Sequence, residues 1–129
     1  MIVDTSPVIA ILAREPDAAT YAQSLASAPR CLMSAGTFVE LGIVLERQFN
    51  ADAVRECDAL FRKAKIEIEP VTEAHAYAAR QAFRDFGKGR HPAGLNFGDC
   101  FAYALAKVTG EPLLFKGEDF RKTDIVSAV

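Results

Sequence analysis

Four acidic residues lie close to the ends of predicted strands or to the starts of predicted helices, although they are far apart in the sequence. Asp4 ends the apolar run at residues 1–3, and Glu40 lies in the first turns of the helix that follows the second predicted strand. Asp99 lies in the first turn of a later helix, and Asp119 follows the last apolar strand. Ligands of open parallel sheets bind beyond the carboxyl ends of the strands. The four carboxylates can therefore converge at one edge of one sheet.

A pocket lined by carboxylates favours a particular chemistry. Mutual repulsion destabilises such a pocket unless a cation neutralises it or some of the pKa values rise. Hard oxygen ligands without cysteine or histidine suit Mg²⁺ or Mn²⁺. Such a cation polarises a phosphodiester and lowers the pKa of a bound water, which becomes the attacking hydroxide. Metal-dependent phosphodiester hydrolysis is therefore one interpretation of the acids.

Each acid also has a structural interpretation in which it caps a helix. Thr37 and Glu40 have the spacing of a capping box, and Asn96 with Asp99 has the same spacing. Asp4 precedes a helix-start signal and could simply begin that helix. Capping explains any one of these acids, whereas a cluster of four requires neutralisation.

The elements that position these acids are short strands separated by helices. The apolar pattern predicts strands at residues 1–4, 30–33, 66–69 and 112–115. It predicts helices at residues 8–14, 16–28, 73–86 and 97–108, with two more beginning near Thr37 and Val54. Strands alternating with helices imply β-α-β crossovers, and hence an α/β fold with a parallel sheet covered on both faces.

The composition predicts one domain over residues 1–129. Half of the residues are apolar, a quarter are charged and the formal net charge is −2, so any nucleic-acid surface has to be a local patch. No apolar run approaches the roughly 18 residues of a membrane span, and the first residues do not resemble a signal peptide. Cys31, Cys57 and Cys100 have unrelated spacings, which favours buried thiols. We expect a cytoplasmic protein with no membrane association.

The densest basic patch lies at residues 80–90. Arg80, Arg84 and Lys88 recur every fourth residue and so predict one helical face, which Arg90 extends. With Asp85 counted, the segment carries a net charge of +3. It is either a solvated helix face or a surface that follows RNA phosphates.

The aromatic residues and the histidines favour structural roles. Phe38, Phe97, Phe101 and Tyr103 occur at apolar helical spacings, which predicts core positions rather than platforms for nucleic-acid bases. Neither of the two histidines has the partners of a catalytic triad in the sequence, so we expect no catalytic histidine.

Four segments together resemble the PIN-domain ribonucleases, and specifically the VapC-type toxins of bacterial type II toxin–antitoxin systems. They are MIVDTS (residues 1–6), SAGTFVE (34–40), LNFGDC (95–100) and LLFKGEDF (113–120), and they occur in the family's order. The resemblance implies a PIN-like α/β/α sandwich with a central short-stranded parallel sheet. It also implies an acidic quartet that binds Mg²⁺, or Mn²⁺ in its place, and hydrolyses RNA. Expected partners are the RNA substrate, a second copy in a homodimer, and a VapB-like antitoxin whose peptide covers the catalytic groove.

The resemblance assigns roles to the acids residue by residue. Asp4 and Asp99 match the main metal-binding aspartates, and Glu40 matches the acidic partner that orients water or metal. Thr5 and Ser6 match polar residues beside the first aspartate, where a hydroxyl steadies it or a water molecule.

The fourth acid departs from the family's pattern. Many relatives carry an acid two residues before an Asp-Phe pair, and Gly117 stands there in this chain. We assign the fourth acidic position to Asp119, which precedes Phe120, with Glu118 as the substitute. The number of metal ions therefore stays open.

The acidic residues are also compatible with two other functions. A small metal-dependent phosphohydrolase would keep the metal, but the Asp-x-Asp pattern of haloacid dehalogenases is absent because Thr5 and Ser6 follow Asp4. The sequence has no glycine-rich P-loop either. In a non-catalytic partner-binding module, by contrast, the acids would only cap helices.

Overall fold

The computed structural model describes residues 1–129, and its centre is a four-stranded sheet. The strands are β1 (Ile2–Val3), β2 (Cys31–Ser34), β3 (Ile66–Glu69) and β4 (Leu113–Leu114), in the spatial order β3-β2-β1-β4. All neighbours are parallel: Ile2 lies opposite Leu32 on one side and opposite Leu113 on the other. The predicted parallel sheet of short strands is confirmed, and all four strands end at the same edge.

Six helices and one short 3-10 turn connect and follow the strands. They are α1 (Thr5–Leu12), α2 (Ala18–Ser27), α3 (Ala35–Gln48), α4 (Ala51–Ala64), α5 (Glu73–Phe86) and α6 (Phe97–Thr109), with the 3-10 turn at Phe120–Lys122. None of the helices is both long and apolar enough to cross a membrane.

The strands separate two apolar cores, because successive side chains of a strand point to opposite faces of the sheet. One face carries Ile2, Leu32 and Leu113, and the other carries Val3, Met33 and Leu114. Apolar side chains of α5 and α6 pack on the first face, and those of α1 to α4 pack on the second. The result is the predicted α/β/α sandwich. All three cysteines are buried free thiols, as expected.

Three details differ from the sequence-based expectations. Helix α3 begins directly after β2, where the Ser34 hydroxyl accepts the Gly36 N–H, so a capping box of Thr37 with Glu40 is wrong. Helix α1 begins at Thr5 rather than Val8, because the Asp4 side chain caps it. In both cases the cap forms at the residue that leaves the strand, earlier than the apolar spacing alone indicates.

The third difference concerns two aromatic residues. Tyr103 is buried as expected, but Phe97 is 80% exposed and Phe38 is 39% exposed, so the core prediction is wrong for both of them. Phe97 is the first residue of α6, one turn before the buried Cys100. Its spacing is that of a core position, but the core does not extend to this end of the helix.

Candidate active site

Asp4 lies at the carboxyl end of β1 and is only 4% exposed. Its Oδ2 accepts the Ser6 hydroxyl at 2.7 Å and the Ser6 N–H at 3.3 Å, while its Oδ1 is buried without a hydrogen-bond partner. Burial raises the pKa of this carboxyl, and the Ser6 hydrogen bonds partly offset that rise. The side chain therefore presents one buried, unpaired oxygen, which a native structure rarely leaves without a function.

The Ser6 hydroxyl connects Asp4 to the neighbouring strand. While it donates to Asp4, it accepts the N–H of Lys116 at 2.9 Å, just beyond β4. The Lys116 ammonium in turn lies 2.6 Å from Glu15 Oε2 and 2.9 Å from Asp17 Oδ1. These contacts join the loop after β4 to the first turn of α1 and to the connection between α1 and α2. The Ser6 hydroxyl that holds Asp4 is thereby fixed from the end of β4.

Asp99 lies in the first turn of α6 within the capping box expected from the sequence. The Asn96 N–H donates to Asp99 Oδ2 at 3.0 Å, and the Asp99 N–H donates to Asn96 Oδ1 at 2.9 Å. Burial and the charges of Asp4 and Asp119 raise the pKa of Asp99 to about 6, although the bond from Asn96 opposes the rise. Asp99 thus caps its helix with one oxygen and faces other carboxylates as well.

Glu40 reaches the same place from α3. Its carboxylate lies against Gly98 of α6, in space that a β-carbon at position 98 would occupy. Burial, followed by the charges of Asp4 and Asp99, raises the pKa of Glu40 to about 7. Asp4 at the end of β1, Glu40 of α3 and Asp99 of α6 therefore lie within electrostatic range. The charge of Asp4 raises the pKa of both other acids, and the charge of Asp99 raises the pKa of Glu40.

The two candidates for the fourth acid differ in their surroundings. Asp119 is one of the charges that raise the pKa of Asp99. Glu118 has a side chain that is 75% exposed, and its Oε1 lies 3.8 Å from Nε of Arg121. Both side chains are exposed, but only Asp119 is among the charges that raise the pKa of Asp99.

The donor set fits a hard divalent cation. The side chains contribute only carboxylate oxygens, one of which is the unpaired Oδ1 of Asp4. No three of the molecule's acidic, histidine or cysteine side chains converge tightly enough to define an ion position. A cation between Asp4 and Asp99 would satisfy the orphaned oxygen and offset the repulsion that raises the pKa values of Asp99 and Glu40.

Comparison with known proteins places the chain in a family. A family model described as "PIN domain" matches residues 1–126. The chain belongs to the PIN-domain family. Ribonuclease VapC28 of Mycobacterium tuberculosis is 52% identical to it over 130 residues, with 100% of this chain and 98% of the relative covered. Ribonuclease VapC of Mycolicibacterium smegmatis is 49% identical over 127 residues, with 98% of each chain covered.

Two solved structures share the fold of this PIN domain. One is Mycobacterium tuberculosis VapC20, described as a Sarcin-Ricin loop cleaving toxin, with a TM-score of 0.77, 22% identity and coverage of 97% of this chain and 95% of that one. The other is a toxin–antitoxin complex from Klebsiella pneumoniae, with a TM-score of 0.72, 17% identity and coverage of 99% and 97%. The resemblance to VapC-type PIN domains inferred from the sequence is confirmed.

The basic patch of the PIN domain is arranged differently from the expected helical face. Arg80 and Arg84 of α5 and Arg90 of the following loop line one recess. Lys88 lies beyond the end of α5, where its N–H donates to the carbonyl of Leu95, and it does not line the recess. The prediction that Lys88 continues the face is wrong, because the backbone becomes extended at Gly87.

Sequence reasoning missed two contributors to the site. Gly98 provides the space for Glu40, and the N–H of Lys116 fixes the Ser6 hydroxyl. A glycine directly before Asp99 in a helical turn was the available signal for the first, because glycine is otherwise unfavourable there. The second is a backbone contact, for which the side-chain pattern holds no signal.

Proposed function

We propose that this chain is a divalent-metal-dependent endoribonuclease toxin whose acidic quartet is Asp4, Glu40, Asp99 and Asp119. The observation that carries the proposal is the buried, unpaired Oδ1 of Asp4 within electrostatic range of the Glu40 and Asp99 carboxyls. The full-length similarity to proteins named VapC ribonucleases supports RNA as the substrate.

The residues of the chain divide the catalytic work. Asp4 and Asp99 would hold Mg²⁺, with Mn²⁺ able to substitute, because each has one oxygen occupied by a local donor and another left over. When bound, the cation would supply positive charge to the phosphodiester and would acidify a nearby water molecule. Glu40, whose pKa responds to the charges of both aspartates, would accept a proton from the attacking water. Asp119 would add negative charge near Asp99.

Substrate binding falls to the basic residues near α5. Arg80, Arg84 and Arg90 share one recess, and Lys88 lies in the adjoining turn. In the proposal these four cations contact RNA phosphates, which gives affinity that falls with salt but carries no sequence information.

The expected protein partners are a VapB-like antitoxin and a second copy of the chain. The toxin family and the structurally similar toxin–antitoxin complex support the antitoxin. Helix α3 exposes Val39 by 60% and Ile43 by 49%, close to Glu40 in the sequence. These apolar side chains suit an antitoxin segment that lies across the catalytic groove.

Cleavage of a labelled RNA by the purified chain tests the proposal. The wild type should cleave with Mg²⁺ and stop with EDTA, and Asp4→Asn or Asp99→Asn should lower the rate by roughly 10²-fold or more. Glu56→Gln is the matched control, because Glu56 is an exposed acid of α4. A folded Asp99→Asn variant that cleaves at the parent rate would overturn the proposal, as would hydrolysis of small phosphate esters without cleavage of RNA.

A further inference from the structure

The first turn of α6 exposes an aromatic ring next to the acidic site. Phe97 lies two positions before Asp99 and is 80% exposed. Its ring meets that of Phe101 edge to face, with the centroids 5.0 Å apart. Water contacts most of a large apolar ring here, which costs free energy unless a ligand covers the ring.

An apolar groove runs from Phe97 between α6 and α5. Cys100 and Phe101 line the α6 side, and Ala79 and Phe83 line the α5 side. The groove continues directly into the basic recess, because Arg80 and Phe83 line both of them. One uninterrupted surface therefore leads from the helical turn that holds Asp99 to the arginines of α5.

Along the recess, arginines alternate with exposed aromatic rings. Tyr77 is 61% exposed, and the guanidinium of Arg80 lies 5.9 Å from the centre of its ring. Phe83 is 39% exposed, with the guanidinium of Arg90 at the same distance of 5.9 Å. No carboxylate lines the recess or the groove. The lining thus combines planar cations with planar rings, and the nearby Asp85 carboxylate accepts hydrogen bonds from Gln81 of the recess.

This combination is what an unpaired nucleotide strand requires. Bases stack on aromatic rings and on guanidinium planes, while the arginine charges follow the phosphates. A duplex keeps its bases stacked internally and cannot offer their faces to Phe97 or Tyr77. A second copy of the chain is less suitable as the occupant, because two such surfaces would bring six arginines together.

We propose that Phe97, Tyr77 and Phe83 form a base-stacking surface that holds unpaired nucleotides of the RNA next to the scissile phosphate. The inference rests on the proposed function, because it takes the acidic site as the place of cleavage. It adds that recognition requires accessible bases on the α5–α6 side, with Phe97 stacking the base nearest to the acids.

Binding measured without catalysis tests this surface. Fluorescence anisotropy in EDTA compares a labelled 12-nucleotide single strand with the same sequence in a duplex. Phe97→Ala and Tyr77→Ala should each weaken single-strand binding about tenfold, with duplex binding and the salt dependence unchanged. Val108→Ala, which shortens another exposed apolar side chain of α6, should leave both affinities unchanged.

An abasic nucleotide placed in the strand separates stacking from other effects. The wild type should bind the strand less tightly when the abasic nucleotide replaces the base that stacks on Phe97. The Phe97→Ala variant, which has already lost this stacking, should bind the abasic strand about as tightly as the intact strand. Unchanged single-strand binding by Phe97→Ala would overturn the proposal. The proposal would also be overturned if Phe97→Ala changed the sedimentation mass of the protein but not its RNA affinity. The surface would then be a contact between two copies of the chain.

The two proposals fail in different ways. If the acidic site is not a nuclease centre, the wild type does not cleave RNA with Mg²⁺, whatever it binds in EDTA. If the stacking surface is wrong, cleavage persists and Phe97→Ala binds the single strand as tightly as the wild type.

Discussion

The carboxylate of Glu40 occupies the space that a side chain at position 98 would need, so α3 approaches α6 at the site through Gly98. This approach sets where the Glu40 carboxyl lies relative to Asp4 and Asp99. Burial, together with the charges of these two aspartates, raises the pKa of Glu40 to about 7.

We predict that Gly98→Ala displaces Glu40 and lowers the rate of RNA cleavage by roughly 10- to 100-fold, the usual cost of losing a residue that positions a metal site. The pKa of Glu40 should move back towards 4.5 as the carboxyl leaves its buried place. Kinetics over a range of pH values and NMR titration of the Glu40 carboxyl measure the two effects.

Gly42→Ala is the matched control, because Gly42 is also helical and a β-carbon there has no neighbour within 4 Å. This variant should cleave like the wild type and be about 0.5–1 kcal/mol more stable, as expected for glycine replaced by alanine in a helix. Equal activities of the two variants would mean that the position of Glu40 is irrelevant to the reaction.

Ser6→Ala should weaken Mn²⁺ binding by roughly 10- to 100-fold. The variant removes the 2.7 Å hydrogen bond to Asp4 Oδ2 and leaves the Lys116 N–H without its acceptor. Since the Ser6 hydroxyl bond lowers the pKa of Asp4, its loss also makes deprotonation of this buried acid harder. Calorimetric titration measures the affinity. Ser27→Ala, which changes only contacts with Gln23 within α2, serves as the control and should bind Mn²⁺ normally.

The metal-free protein should lose stability as the pH rises from about 4 to 7. Folding raises the pKa of Glu40 from 4.5 to about 7 and that of Asp99 from 3.8 to about 6. In this window the folded state binds more protons than the unfolded state, so each rise in pH favours unfolding. Mn²⁺ should oppose the loss most strongly at neutral pH, because the cation binds the deprotonated acids.

Urea unfolding in EDTA and in Mn²⁺ at pH 5 and pH 7 measures this linkage. Glu40→Gln should flatten the pH dependence, because it removes the group whose pKa rises most on folding in this window. A metal-free wild type that becomes more stable from pH 5 to pH 7 would contradict the proposed crowding of carboxylates.

Asp119→Asn should slow RNA cleavage and lower the pKa of Asp99, because one of the charges that raise it disappears. Glu118→Gln should do neither, since that side chain faces solvent beside Arg121. The two neighbouring substitutions are each other's control in a cleavage assay. The reverse ranking would make Glu118 the fourth acid of the quartet.

The sequence predicted the framework of the site well, because local rules determine it. β3 alternates apolar and polar residues and ends before Pro70, and α5 ends before Gly87, so both elements match their predicted bounds. The place of Asp4 follows from parallel strands that all end at one edge of the sheet, and the place of Asp99 in the first turn of α6 follows from its capping box with Asn96. These features depend on neighbouring residues and on sheet topology.

These local rules do not predict how closely two helices pack or which side chains their packing covers. The meeting of Glu40 with Gly98 depends on how closely α3 and α6 pack, which periodicity does not determine. Phe97 has the spacing of a core residue, yet nothing in the fold covers it. Ser34 caps α3 in place of Thr37 because the chain turns into the helix immediately after the strand. Each failure is a tertiary effect overriding a local pattern.

We expect Asp4 and Asp99 to share a divalent cation, which anomalous scattering from a crystal soaked in MnCl₂ would reveal. A manganese peak should lie within coordination distance of Asp4 Oδ1 and an Asp99 oxygen, and it should be absent from Asp99→Asn crystals soaked in the same way. A protein that cleaves RNA with Mn²⁺ while its crystals show no manganese between these two carboxylates would rule out the shared site.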